Sequence, residues 1–451
     1  MKETHADYVR RFQEFIKFPT ISTTNDEATD FAPFSQFHEY LEKNYPLVHS
    51  YTQKENIGNA SLLFHWKSSH PTLPPVLLMG HQDVTSAGDP ALWHYPPFSA
   101  EIADDCIWGR GTTDCKHIMF AELEAVEALL SEGFSPAYDI YLSYGHNEEV
   151  GADNAHKGAV LTAAELARRG VHLECLLDEG GMVTAGKEKG YDGYIANISL
   201  AEKGFNNYKL YYECSGGHSS TPGQGSALGK IARGIIGVED NPFPYRLTPL
   251  TRKQLSAMSL YVSEPEKSIF ASPEKHWNEL KKLAESDKKL DAILHTTMAV
   301  TMASGSQQAN VLPSQAEAVI NCRLLQGDTV ESVLSYIRSH IPANLTVRSM
   351  YDADPVPVPD VDENGTYGLL SSVLKDMYGK QTILVPSLMT GGTDARFYAD
   401  ICDNLFRFGG FLRDNRWGQA HEINEKIPCD ALPSGINFFK TFLKKYNIKN
   451  Q

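Results

Sequence analysis

The sequence predicts an α/β fold, a mostly parallel sheet with helices on both faces, interrupted by a smaller α+β unit. Three observations carry this. Across residues 1–200, short apolar runs bounded by glycine or proline alternate with stretches of helical spacing. Beyond about residue 200 the runs change to in–out alternation, the mark of half-buried antiparallel strands. After a proline-rich stretch at 352–359 the first rhythm returns. Strands and helices in alternation bury their apolar faces against one another as a layered sheet.

Residues 8–17 form an amphipathic helix with Val9, Phe12, Phe15 and Ile16 on one side, and the Pro19 turn ends it. A second helix covers 34–42, and strands follow at 57–66 and 76–79. Over 118–130, Met119, Leu123, Val126 and Leu130 recur at helical spacing, and Gly133 closes the helix. A strand at 140–144, a helix at 158–169 stopped by Gly170 and a strand at 175–177 complete the first part. In the smaller unit, 205–214 and 316–324 alternate as strands, 227–236 and 329–340 read as helices, and 345–350 is the last strand. This predicts a four-stranded sheet with two helices. Residues 241–295, rich in charge and proline, separate its halves as an insertion. Helix 366–378, strand 382–388 and helix 430–445 resume the α/β pattern. The predicted organisation is 1–200, then 201–350 with the insert at about 241–295, then 351–451.

With 451 residues, 42% of them hydrophobic, the chain can bury a sizeable core. A formal charge of −15 argues against a nucleic-acid partner, which needs a basic face. No run of about 18 apolar residues exists, so no membrane span is expected. The first seven residues lack an apolar signal core, and the seven cysteines are scattered singly with no CxxC pair. Both point to a reducing, cytoplasmic setting.

Chemistry-bearing residues gather at predicted strand ends, where ligands collect in α/β sheets. The run at 76–79 ends at Gly80 and delivers His81 and Asp83, residue types that bind zinc-like ions. The glycine-punctuated loop Gly109-Arg110-Gly111-Thr112-Thr113-Asp114 precedes the strongest helix, where Asp114 alone would read as a cap. Glu148 and Glu149 stand side by side after the strand at 140–144. Their mutual repulsion is relieved by a nearby cation, which leaves one carboxylate free as a base. Asp178 and Glu179 repeat the theme after 175–177, and His421 follows a glycine-rich loop near the end. Together these supply the ligand count of two zinc ions about 3.5–4 Å apart.

The motifs HQDV, GRGTTDCK, the EE pair, DEGG, GGHSSTPG, ANVLP, GGTDAR and AHE resemble, in order and over nearly the whole chain, the co-catalytic zinc peptidases. That family includes aminoacylase, glutamate carboxypeptidase, succinyl-diaminopimelate desuccinylase and carboxypeptidase S. The DCK tripeptide and the insert are most similar to the carboxypeptidase S branch, which also holds N-acyl-amino-acid hydrolases. The resemblance implies that His81 binds one metal, that Asp114 bridges both, and that Glu149 and His421 bind the second. Glu179, or the adjacent Asp178, completes the first site. Glu148 becomes the general base, and Asp83 orients His81 through its other ring nitrogen. His218 in the GGHSS loop would stabilise the oxyanion from a partner subunit. Asn310, Arg323 and the Gly391-Gly392-Thr393 loop would contact substrate, the arginine gripping a free carboxylate. The smaller unit is then a ferredoxin-like lid and dimerisation domain. His117 and Ile118 depart from the glycines that often follow the DxK motif.

The expectation is thus a homodimeric di-zinc hydrolase, with cobalt or manganese as possible substitutes. It would cleave the amide bond of small peptides or N-acyl amino acids bearing a free carboxylate. Two alternatives are a deacylase of one specific biosynthetic N-acyl intermediate and a non-catalytic peptide-binding protein on the same scaffold. Intact Glu148 argues against the latter.

Overall fold

The computed structural model describes residues 5–150, 156–223, 225–351, 354–356, 358–359 and 361–448. Gly151 after the glutamate pair, and Asp352 and Pro357 of the expected linker, lie outside the described residues. The larger unit is built on an eight-stranded sheet in the order Gln53–Ile57, Ser61–Trp66, Ile140–Gly145, Val76–His81, Leu173–Ala185, Cys402–Arg413, Tyr194–Glu202, Ile383–Met389. The four central strands are parallel neighbours, and antiparallel pairing appears towards the edges. Alternate residues of the central strands serve two cores. Leu78, Leu142 and Leu177 face one core with the helices Lys116–Ser131 and Leu432–Tyr446. Leu77, Met79, Tyr141 and Leu176 face the other with helix Gly158–Arg168. A sheet covered on both faces explains why its strands read as continuous apolar runs.

The smaller unit is an antiparallel sheet in the order Thr297–Ser304, Gln315–Leu324, Gly204–Glu213, Thr346–Ser349. Helices Ala227–Glu239 and Val330–His340 share its core. Thr329 starts the second helix with a capping box to Ser332. The predicted four strands and two helices are therefore present, although the edge strand Thr297–Ser304 was not among those expected. Most of its residues are exposed, so it lacks the apolar alternation that marks a buried strand. The insert lies within this unit in sequence, but apart from residues such as Phe243, which joins the small core, it packs on the larger unit. Its helices send Leu250, Leu255, Phe270, Leu280 and Leu294 into the larger unit's core, and Leu388 N donates to Gln254 Oε1 at 3.0 Å. Among the described residues no helix is long and apolar enough to cross a membrane.

Candidate metal centre

Two adjacent parallel strands end at one place, and a third passes beside them. His81 is the last residue of Val76–His81 and pairs with Gly145, the last residue of Ile140–Gly145. On the other side Leu78 pairs with Leu177, one residue before Asp178. Register alone therefore brings His81, the Glu148–Glu149 pair and the Asp178–Glu179 pair to a single sheet edge. Strand Leu173–Ala185 continues through these acids instead of ending before them. It bulges there: Asp178 pairs with Arg407 and Gly181 with Phe408, so two residues are unpaired on one strand and none on the other. Gly180 has a φ of +135°, and a Cβ on Gly181 would lie 1.8 Å from Asn197 O, so both positions require glycine. The bulge separates the two acids. Asp178 Oδ2 accepts from Ala395 N at 3.0 Å, away from the cluster, whereas Glu179 Oε1 lies 3.4 Å from His81 Nε2.

Asp114 joins two groups of donors. Its Oδ1 is 3.2 Å from His81 Nε2, and its Oδ2 is 3.0 Å from His421 Nε2. His421 Nε2 is also 2.8 Å from Glu149 Oε2. One candidate set is thus His81, Asp114, Cys115 and Glu179, the other Asp114, Glu149 and His421, with ligand atoms in each set within 4.8 Å of one another. Cys115 enters through its place beside Asp114, and its Sγ accepts from His81 N at 3.1 Å.

The electrostatics of the bare cluster test whether cations fit. Burial would lower the His81 pKa, but Cys115, Glu179, Asp114 and Asp83 pull it well up. Hydrogen bonds to Asp114 and Glu149 raise His421 to about 10. Burial, then the Asp114 charge, pushes Glu179 up to about 8, and burial raises Glu149. Both imidazoles and two carboxylates are therefore drawn towards protonation, with protons standing where positive charge is needed. Glu149 Oε1 is buried without a hydrogen-bond partner. Two imidazole nitrogens and three carboxylates, one of them with this spare oxygen, are a donor set of the kind that holds zinc-class ions.

Asp83 contacts both His81 and the acidic pair. His81 Nδ1 lies 2.9 Å from the Asp83 main-chain oxygen and 3.5 Å from its Oδ1. The carboxylate oxygens accept the amides of Glu148 and Glu149, each at 3.1 Å, which fixes the acidic pair against His81. Lys157 Nζ donates to Glu148 O at 2.8 Å from the other side. Burial, then the charge of Asp394, raises Glu148 well above the usual carboxylate range, which suits a group that accepts and returns a proton.

A cleft of about 430 Å³ opens beside the cluster, lined by Glu148, Glu149 and His421 on one side and Arg323, Gly392 and Arg396 on another. Arg323 pairs across from Phe205 in the small sheet, and its Cζ sits 4.8 Å over that ring. Thr393 N donates to Glu202 Oε2 at 2.6 Å, so this amide of the glycine loop is already engaged. His218 and Asn310 are brought to each other but do not line the cleft. The short strand Gly217–His218 pairs with Val311–Leu312, and Ser219 N donates to Asn310 O at 3.1 Å. His218 is exposed, its Nδ1 2.8 Å from Ser220 Oγ.

The most connected residue of the site was not singled out by sequence reasoning. Glu425 is fully buried and accepts from Thr113 N at 2.6 Å, Arg110 Nη1 at 2.8 Å, Thr113 Oγ1 at 3.0 Å and Gly111 N at 3.1 Å. It ties the loop bearing His421 to the loop bearing Asp114. The available signal was its position in the stretch that carries His421.

Known proteins resemble this chain in sequence and in fold. The chain is 32% identical to a probable carboxypeptidase S-like 2 of Dictyostelium discoideum, over 97% of this chain and 85% of that protein. It is 31% identical to the human N-fatty-acyl-amino acid synthase/hydrolase PM20D1, over 97% and 87% respectively. In fold it matches the M20 family metallo-carboxypeptidase Sso-CP2 of Sulfolobus solfataricus with a TM-score of 0.73 at 19% identity, covering 98% of this chain and 99% of that one. The family model for Peptidase family M20/M25/M40 matches residues 77–445, from the strand that carries His81 to the last helix, and the chain belongs to that family.

Proposed function

We propose that the chain is a two-metal amidohydrolase that cleaves small peptides or N-acyl amino acids with a free carboxylate. The observation that carries this reading is Asp114, whose two oxygens face two separate histidine–glutamate sets. His81, Asp114 and Glu179 would hold one cation, and Asp114, Glu149 and His421 the other. Zinc-class ions, when bound, supply Lewis acidity to a substrate carbonyl and to water. The remaining work falls to side chains. Glu148, held by Asp83 and Lys157, takes a proton from the attacking water and returns it to the leaving amine. Arg323, stacked on Phe205, receives the carboxylate and so sets which amide faces the cluster. The substrates named for the relatives, N-fatty-acyl amino acids among them, fall within this class.

We also propose a homodimer through the smaller unit. Leu228 and Ile236 on one helix, Met302 on the edge strand and Val311 beside His218 are exposed apolar side chains on that unit. An unpaired edge strand and an apolar surface together invite a second copy. This reading gives His218, which is off its own cleft, a site to serve. The cysteines, all free and five of them buried, fit a reducing cytoplasmic setting.

The test is metal content and turnover. Purified protein should hold two zinc-class ions per chain and hydrolyse members of a panel of dipeptides and N-acyl amino acids, with chelation abolishing the activity. Asp114→Ala should release both ions. Full metal content in that variant rejects the bridge, and a panel with no turnover by the metal-loaded protein rejects the activity.

A further inference from the structure

Two guanidiniums in the cleft stand without partners. Arg323 and Arg396 both line it, and among the described residues neither donates a hydrogen bond or forms an ion pair. They come from different units. Arg323 is carried by the small sheet, while Arg396 belongs to the 3₁₀ segment Asp394–Ile401 that follows the glycine loop of the larger unit. Arg396 Cζ rests 4.6 Å over the Phe397 ring. A Cβ on Gly392 would lie 2.6 Å from Arg396 Nη1, so the guanidinium lies directly against the glycine loop.

The acids on the same wall have other commitments, and Glu202 offsets only part of the Arg323 charge. Glu202 Oε2 accepts from Thr393 N at 2.6 Å and lies 3.4 Å from the buried Arg407 Nε. Asp354 Oδ1 accepts from Val330 N at 2.7 Å. The Arg396 charge reaches Arg323: after burial, it is the main influence lowering the Arg323 pKa. Neighbouring like charges that are only partly offset favour an anion between them. A carboxylate offers about four lone-pair sites, enough to accept from two planar forks at once.

We propose that Arg396 is the second half of a carboxylate clamp, gripping the free carboxylate of the substrate's amino-acid half together with Arg323. The clamp rests on the amidohydrolase reading given above. It has one arm on each unit, so a bound carboxylate draws the walls of the cleft together. It also makes the carboxylate, more than the side chain, the feature that admits a substrate.

The experiment compares N-acetyl-leucine with N-acetyl-leucinamide, which differ only in that charge, on the metal-loaded wild type, Arg323→Ala, Arg396→Ala, Arg396→Lys and the double alanine variant. Each alanine variant should lose about 10–100-fold in kcat/KM on the acid, mostly through KM, as expected for a charge-assisted hydrogen-bonded pair. The loss on the carboxamide should be at least tenfold smaller. The double variant should no longer discriminate acid from carboxamide, and Arg396→Lys should recover part of the loss. Calorimetric binding of free leucine against leucinamide gives a second readout that needs no turnover. Equal losses on acid and carboxamide in Arg396→Ala, or unchanged leucine binding in a variant with wild-type melting behaviour, overturn the clamp. If the wild type hydrolyses neither compound, the amidohydrolase reading fails for this pair, and leucine binding still decides the clamp.

Discussion

Replacing Glu425 should loosen one half of the metal centre without touching a proposed ligand. Its carboxylate accepts two amides, a hydroxyl and the Arg110 guanidinium, and both Glu425 and Arg110 are buried. Glu425→Gln keeps the volume but turns one acceptor into a donor among donors, and it leaves Arg110 without its counter-charge. Removing one partner of a buried ion pair costs about 3–5 kcal/mol. For a chain of this size that corresponds to a fall of roughly 3–5 °C in Tm. The damage should be lopsided. Arg110 also donates to the main-chain oxygens of His421 and Glu422, each at 3.3 Å, so the His421 loop loses its anchor while His81 keeps its own. Supporting residues of this kind are worth about 10–100-fold in metal affinity. Thermal melts and a zinc titration against a competing chelator measure both effects. One of the two ions should dissociate at lower chelator concentration and the other should hold. A Tm within about 1 °C of wild type, with both ions retained at wild-type affinity, would refute the coupling.

Further outcomes follow from the same geometry. Glu148→Ala should keep its metals and lose at least the roughly 10²–10⁴-fold typical of general acid–base groups; single-turnover kinetics at saturating substrate check this, and near-normal kcat rules out the base. The metal-free protein should lose stability as pH rises from about 5 towards 10. Glu179 and His421 both have folded pKa values above their unfolded ones, about 8 and about 10, so their protons are lost at the expense of the fold as pH climbs. Added zinc should flatten that profile in melts from pH 5 to 10, and a metal-free Tm that rises over this range contradicts the charge reading. Inactive His218→Ala and Glu148→Ala chains, mixed under conditions that exchange subunits, should regain activity if His218 acts across a dimer; proven exchange without recovery assigns His218 to its own chain or to no catalytic role.

What the sequence disclosed depends on how local each signal was. The strand ending at His81 was legible because its apolar run is continuous and a glycine closes it. The pairing of three strands was legible in outline because parallel strands deliver their following loops to one edge. The choice between Asp178 and Glu179 was not, since both acids have the same chemistry and only the bulge at Gly180–Gly181 turns them apart. That glycine pair reads as a turn, yet the strand runs on through it to Ala185. Strand Cys402–Arg413 was hidden in the same way by Gly409, Gly410 and an arginine, Arg407, that is tolerated inside only beside Glu202. In the insert, charged faces masked the apolar stripes that reach the large core. Arg396 lay within the recognised GGTDAR motif and Glu425 just beyond AHE, but the partners of Glu425, Thr113 among them, are distant in sequence, and no spacing reports such a pairing.

The cleft and the connection between the two units are one structure. Glu202 and Lys203 stand where the chain leaves the large sheet for the small one, and both line the cleft. Lys203 is buried, and its Nζ donates to Ala292 O at 2.9 Å and His295 O at 2.8 Å, both from the insert. Gln326 Nε2 reaches back from the small unit to Glu202 O at 2.6 Å, and Arg246 of the insert pairs with Asp328 at 2.8 Å. The insert is thus packed into the large unit's core while holding the root of the small one. Arg323 hangs from the sheet that this root supports, whereas the metal cluster and Arg396 belong to the other side. Any rotation of the small unit therefore changes the distance from Arg323 to the acids, and the insert resists that rotation through contacts that a buried lysine must keep. The span from Arg323 to the acidic cluster is therefore set jointly by the Glu202–Lys203 junction and the insert.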